Sequence, residues 1–550
     1  MSAAVVIVVL LVALVAIPLG RLIQVAAEGG WSGVGATLRG PGVGRSIANT
    51  LVLSVVVTAA AVPLGAALTL ALRRSDLPAR SALRLGLLLP LLVPQFVLGY
   101  SWTRAYGRGG FTDDLLGLSW QLILGPVGVA LVLVVNAVPI VALLVAAGLA
   151  TRAEPDLERA ARAAGATDWT TLRTITLPLL RPSLAAAAVL TFVVTLESFA
   201  IPQVMGASSG FTTITTRIYQ NLSLGSDPRS FVEAVTLSLL LVALAAVVVG
   251  PADVLLGPRL RIRRAAQPPG AAIVTAPTTA SRVIAAAIAG YLALTVLVPT
   301  LSLVAAAITR GIGLPPTPDN WTLSHVRSVL TAPVLNALSN SLQLAAVAAT
   351  ALVVLGALVA ALERGRGGRL LGATVTLTLV LPGTTLAVGL LIAYGQWLGG
   401  TLSIILLAYL AKLWAFAHRP IAGALDRLPP AELQAARASG AGLIGAIRTV
   451  VARPLAPALV GAWLVVFLTA LHEITMSSLL YGPRSETLAV VVLNNQELGQ
   501  VGPTAAISVL LTLVLLVPAI PLLMIIRRLQ ATRTRSISPD RLPTEVVGAK

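Results

Sequence analysis

The sequence predicts an all-α integral membrane protein whose twelve transmembrane helices form two parallel six-helix halves. Three observations predict it. Of the 550 residues, 57% are hydrophobic and only 11% charged, with a mean hydropathy of +0.91; soluble domains carry about 25% charged residues. Apolar runs long enough to cross a bilayer recur along the whole chain, a helix needing about 20 such residues to span the hydrocarbon layer. Finally, the runs fall into two sets of six that carry matching segments at matching places.

In the first half the runs lie near 3–20, 49–72, 83–103, 121–150, 183–205 and 231–256. The run at 3–20 has no basic segment before it and no small-residue cleavage site before Arg21, so it reads as a retained span, not a signal peptide. In the second half the runs lie near 282–308, 338–362, 370–398, 401–417, 455–480 and 503–526. Between the halves, 257–281 ("GPRLRIRRAAQPPGAAIVTAPTTAS") reads as a cytoplasmic linker stiffened in part by proline. The domains expected are therefore 1–256, the linker 257–281, 282–527, and a polar cytoplasmic tail at 528–550.

Loop charges set the orientation. With the N-terminus inside, the inner loops collect Arg73, Arg74, Arg80 and Arg84, then Arg152, Arg159, Arg162, Arg173 and Arg181, and in the second half Arg419, Arg427, Arg437, Arg448 and Arg453. Outer loops are poorer in basic residues, which places both termini in the cytoplasm by the positive-inside rule. Lys412 alone falls near a membrane edge without an assigned side. The same rule accounts for the net charge of +18, and with aromatics at 4% no base-stacking surface or nucleic-acid partner is expected. The absence of cysteine excludes disulfides and thiolate chemistry. The three histidines, His325, His418 and His472, lie far apart and read as ordinary loop or helix-end residues, so no metal site is expected.

The halves echo one another in detail. "NTLVLSVVVTAAAVPLGAALTLALRR" (49–74) matches "NSLQLAAVAATALVVLGALVAALER" (340–364), with Asn and the Leu-Gly pair in register. Between the fourth and fifth spans, "AARAAGA" (160–166) matches "AARASGA" (435–441); counted from each glycine, Arg173 and Pro182 match Arg448 and Pro457. The first loop (about 152–182) has an acidic start at Glu154, Asp156 and Glu158, then a helical Ala face, a break at Gly165, and a second short helix capped by Asp168 and carrying Trp169. Pro178 and Pro182 are expected to stop that helix before the membrane. The second loop (about 418–457) keeps this grammar. A small helix–Gly–helix knob lets a partner approach its backbone closely, and two knobs imply a partner with two equivalent surfaces.

These loops resemble the EAA loop of bacterial ABC importer permeases, read here as Arg159-Ala160-Ala161…Gly165…Leu177-Pro178 and Gln434-Ala435-Ala436…Gly440…Arg453-Pro454. The resemblance implies two type I importer permease modules, whose loops dock on a cytoplasmic ATPase homodimer, and an extracytoplasmic substrate-binding protein. It implies a bacterial inner-membrane location. The coupling residues it implies are Glu158, Arg159, Ala160, Ala161, Gly165, Gln434, Ala435, Ala436 and Gly440. Arg159 and Gln434 stand where the family has Glu, which removes any ion pair built on that residue. ATP hydrolysis is expected on the partner and no cofactor on this chain, since neither Lys412 nor Lys550 lies in G-x-x-x-x-G-K-[ST].

Two ionisable residues in the fifth spans are candidates for the translocation path: Glu197 in "TLESFAIPQVMG" and Glu473 in "ALHEITMSSLLYG", each nine residues before a glycine, Gly206 and Gly482. "ESFAIP" and "HEITMSSLLYGP" look similar to iron(III) importers; thiamine, phosphonate and polyamine permeases are neighbouring alternatives. Carboxylates suit hard Fe³⁺. A twelve-span carrier driven by an ion gradient is the rival class, but it does not account for the paired loops. An intramembrane enzyme would need clustered His or Asp in the spans.

Overall fold

The computed structural model describes residues 2–28, 30–74, 77–152, 155–225, 227–260, 278–315, 317–364, 371–372, 374–375, 378, 380–428, 438–440, 445 and 452–535. Most of the linker (261–277), the tail beyond 535, and Gln434, Ala435 and Ala436 lie outside these residues. Among the described residues there is no β-strand, and nine helices are long and apolar enough to cross a membrane. These are α1 (Ala4–Glu28), α2 (Val43–Arg73), α5 (Pro126–Thr151), α7 (Asp168–Leu196), α9 (Pro228–Gly250), α10 (Thr279–Ile308), α11 (Ala332–Leu362), α15 (Pro454–Leu471) and α17 (Val501–Pro521). Two bent pairs bring the number to as many as eleven: α3 (Arg80–Leu91) with α4 (Gln95–Leu116), bent by 106°, and α13 (Leu402–Lys412) with α14 (Trp414–Leu425), bent by 41°. A shorter apolar helix, α12 (Gly383–Leu398), stands where the ninth run was expected. The remaining helices are α6 (Pro155–Ala163), α8 (Ile214–Ser223) and α16 (Leu488–Glu497).

Proline shapes several spans. π-turns at Val12–Ala16, Leu172–Thr176 and Ala293–Leu297 each end two residues before a proline: Pro18, Pro178 and Pro299. The ring would collide with the carbonyl four residues back, and the wider turn relieves that collision. Here the structure departs from expectation: Pro178 and Pro182 do not stop the helix, which runs on from Asp168 to Leu196. Its cap is also Thr167, not Asp168; the Thr167 hydroxyl accepts the Thr170 amide at 3.2 Å.

A π-turn followed by proline leaves carbonyls without a helical donor, a costly state inside lipid. The opposite half supplies donors. The Trp102 indole donates to the Thr295 carbonyl at 3.1 Å, Tyr106 donates to Leu294, and Tyr394 donates to Ala13 at 2.7 Å. The helices that carry these groups pack together accordingly, α1 on α12 and α10 on α4.

Within each half the second and fourth spans cross at a glycine. A Cβ at Gly65 would lie 2.8 Å from Val141, and one at Gly356 would lie 3.0 Å from the His418 amide. The asparagines in register at the start of these second spans do equivalent work. Asn49 donates to the Thr212 carbonyl at 2.8 Å and Asn340 to the Glu486 carbonyl at 3.0 Å, each just before a capping threonine, Thr213 or Thr487. The next residue of each, Thr50 or Ser341, accepts the first amide of the capped helix, from Ile214 at 2.9 Å or Leu488 at 2.8 Å. Helix N-termini have orphan amides, and both halves satisfy them from the same place.

Candidate functional site

Two regions bring candidate residues together: the exposed loop between the fourth and fifth spans, and the seam between the halves at the other end of those spans.

In the loop, α6 closes on Gly165. The Gly165 amide donates to the Arg162 carbonyl at 3.0 Å and the Ala166 amide to Ala161 at 2.9 Å, with Gly165 at φ +87°. This is a Schellman closure, which needs a left-handed residue that glycine adopts without a Cβ penalty. Gly440 takes φ +83° at the matching place of the second loop. Arg159 does not replace the chemistry of a glutamate; it pairs with Asp156 on its own helix. Glu158 instead turns towards the membrane helix, accepting the Thr176 hydroxyl at 2.8 Å. Arg162 and Asp168 pair at 3.2 Å across the glycine. Ala160 and Gly165 are exposed and Ala161 half-buried. Beside them Trp169 is 66% exposed, a large aromatic held out on a rigid knob.

At the seam the two expected path residues differ from one another. Both fifth-span helices end sooner than expected, at Leu196 and Leu471, so Glu197 and Glu473 sit at helix ends. Glu473 is satisfied within its own half: its carboxylate accepts the Met476 amide at 2.8 Å, the Ser477 amide at 3.1 Å and the Ser477 hydroxyl at 3.0 Å. That local pairing competes with helix continuation and turns the chain. Glu197 reaches across instead. Its Oε2 accepts from Lys412 Nζ of the second half at 2.7 Å, with both side chains 14% exposed. Lys412 also donates to the Leu381 carbonyl, and Glu197 Oε1 is buried with no hydrogen-bond partner among the described residues. In α5 of the first half the buried polar residue is uncharged Asn136, which accepts from Gln95 at 3.1 Å.

A second cross-half contact lies nearby. Gln203 donates to Glu497 Oε1 at 3.0 Å, and the Tyr219 hydroxyl approaches Oε2 at 3.4 Å. Gln203 and Glu497 border a cavity of about 690 Å³ lined also by Tyr100, Arg104, Trp120 and Gln496 among others. Among the described residues no group of three or more His, Cys, Asp or Glu side chains is placed to hold a metal ion. Lys412, Gln203 and Glu497 were not among the expected path residues. A lysine inside an apolar stretch was the available signal for the first; nothing local marks the other two, whose partners are 294 positions apart.

The family described as binding-protein-dependent transport system inner membrane component matches residues 66–262. The molybdenum transport system permease of Mycobacterium tuberculosis is 33% identical over 235 residues, covering 42% of this chain and 85% of that protein. A putative ferric transport system permease of Haemophilus influenzae is 30% identical over 182 residues, 32% of this chain. That match spans only 28% of the ferric protein's length. A probable ABC transporter permease of Sinorhizobium fredii is 25% identical over 395 residues, 68% of this chain and 67% of the relative. With its succession of apolar helices, its paired glycine-closed loop and these relatives, the chain belongs to the binding-protein-dependent transport system inner membrane component family, the ABC transporter permeases.

Proposed function

We propose that this chain is the membrane-spanning subunit of an ATP-driven, binding-protein-dependent importer in a bacterial inner membrane. Its twelve spans form two parallel six-span modules, 1–256 and 282–527, with both termini cytoplasmic. The loops around Gly165 and Gly440 each dock on one subunit of an ATPase homodimer. An extracytoplasmic binding protein delivers substrate to the opposite face. ATP binding draws the two loops together and opens the seam outward; hydrolysis resets it.

The observation that carries this reading is the matched left-handed glycine, φ +87° at Gly165 and +83° at Gly440, each following an Ala-rich segment. The equivalent clamps from Asn49 and Asn340 support the duplication. Docking rests on shape and on exposed Trp169, since Arg159 is occupied by Asp156.

For the substrate, iron(III) is the reading favoured by the "ESFAIP" and "HEITMSSLLYGP" segments, and relatives named as ferric permeases support it. Thiamine, phosphonate and polyamine stay as alternatives, and relatives named for molybdenum and trehalose transport add two more. Glu197 and Glu473 are the path residues in this reading, Glu197 held by Lys412 and Glu473 by the amides of Met476 and Ser477.

Charge reversal across 158–166 and 433–441, followed by co-purification with the ATPase, tests the class. Loss of the ATPase from the complex is expected; undisturbed co-purification and transport would overturn it. Uptake of radiolabelled iron, molybdate and trehalose by cells carrying the complete transporter decides the substrate.

A further inference from the structure

The connection between the third and fourth spans differs sharply between the halves. In the second half it is Gly399-Gly400-Thr401, a tight turn with Gly400 at φ +70°. In the first half it extends from Gly107 to Gly125: α4 breaks after Tyr106, and its last part, Phe111–Leu116, is a separate short helix within this connection. This insertion is firmly built. The Trp120 amide donates to the Tyr106 carbonyl at 2.8 Å, Ile123 is fully buried, and a Cβ at Gly128 would strike the Ile123 carbonyl. Asp113 is drawn into its base, where it accepts the Gly109 amide at 3.0 Å.

With its base held this way, the insertion presents leucine outward. Leu115, Leu116 and Leu118 are 59%, 69% and 66% exposed. The strip does not end there: exposed Leu122 and Leu124 continue it to exposed Val127 and Leu131 on α5. A water-facing loop of a soluble surface rarely carries so contiguous an apolar patch. Trp120, half-buried at its edge, is the residue type that favours the membrane–water boundary.

We infer that residues 115–124 form an interfacial anchor that lies in the lipid headgroup–acyl boundary beside α5. The occupant is lipid because the exposed leucines run along the chain into exposed Val127 and Leu131 at the start of α5, a helix long and apolar enough to cross a bilayer. The same segment supplies Trp120, Gln121, Ile123 and Leu124 to the wall of the 690 Å³ seam cavity. One wall of that cavity is therefore fixed to the membrane surface, and the second half has only its three-residue turn at this place. This inference rests on the chain spanning a bilayer, but not on the identity of the substrate.

The absence of cysteine makes the test direct. Single-cysteine variants Leu116→Cys, Leu131→Cys and Arg229→Cys are made in the full chain, labelled with an environment-sensitive fluorophore, and reconstituted in phosphatidylcholine–phosphatidylglycerol vesicles. Leu131 is the lipid reference and exposed Arg229 the water reference. The label at 116 is expected to be quenched by brominated phosphatidylcholine as strongly as that at 131, and to resist aqueous iodide. Quenching by iodide as at 229 overturns the anchor, as does protection that appears only when a soluble partner protein is added. If the label at 131 itself reports water, the bilayer-spanning reading has failed instead. A Leu118→Cys variant repeats the measurement should Leu116→Cys not insert.

Discussion

Glu197 and Glu473 each follow the last residue of a membrane helix, Leu196 and Leu471, and they are held in opposite ways. Glu473 is absorbed by amides and a hydroxyl four residues or fewer away. Glu197 is held by a lysine 215 positions distant, in the other half. The clamps and glycine crossings are alike in the two halves, and Gly165 and Gly440 share a left-handed φ, so geometry is common while charge is not. Backbone donors and acceptors must be satisfied wherever the fold recurs, and that requirement keeps Asn49 and Asn340 alike. A buried carboxylate can be held by backbone amides or by a cation: Glu473 takes the amides, and Glu197 takes Lys412 of the other half.

The sharpest way to break the comparison is Lys412→Ala. It strands the Glu197 carboxylate between the halves, a loss of roughly 3–5 kcal/mol when one member of a buried pair is removed. The measurement is thermal unfolding of the detergent-solubilised complex, and the double variant Lys412→Met with Glu197→Gln should recover most of the loss. Glu473→Gln should cost far less, because the amide oxygen still accepts one of the backbone donors. Equal losses for Lys412→Ala and Glu473→Gln would remove the asymmetry.

The loops permit a test in which the halves should agree. Ala at Gly165 or Gly440 must enter left-handed space at roughly 1–2 kcal/mol, and neither position meets a neighbour within 4 Å. Each variant should therefore loosen its own knob without disturbing the spans. Co-purification with the ATPase should fall by a similar factor for each, and further for the pair. A loss confined to Gly165→Ala would show that the second loop docks differently.

Much of this was legible in the sequence because it is local. Apolar runs mark spans, and Gly165 with Gly440 marks the closure of a short helix, since both signals depend on residues close in the chain. What escaped is what two distant segments make together. Pro178 reads as a helix stop because the π-turn that accommodates it is a property of the packed span. The fifth spans end at Leu196 and Leu471, not near 205 and 480, because Glu197 and Glu473 find partners outside a continuing helix. Gln203 and Glu497 are ordinary polar residues until the fold brings them to 3.0 Å.

The finest test of equivalence lies at the clamps. Asn49→Ala removes a side-chain amide from one carbonyl and Asn340→Ala from two, with a neutral hydrogen bond contributing about 1 kcal/mol. The two losses need not be equal, and the structure orders them. Asn49 makes its bond at 2.8 Å to Thr212, whose hydroxyl is also held by Ser46 at 2.9 Å, so the loop keeps a second tie when Asn49 is removed. Asn340 spreads one amide between the Glu486 and Arg484 carbonyls at 3.0 and 3.3 Å. Removing it frees two acceptors at once, so Asn340→Ala should expose the 482–487 turn to hydrogen exchange more than Asn49→Ala exposes 209–213. The reverse order would mean that the Ser46 tie adds nothing and that Asn49 is the stronger of the two clamps.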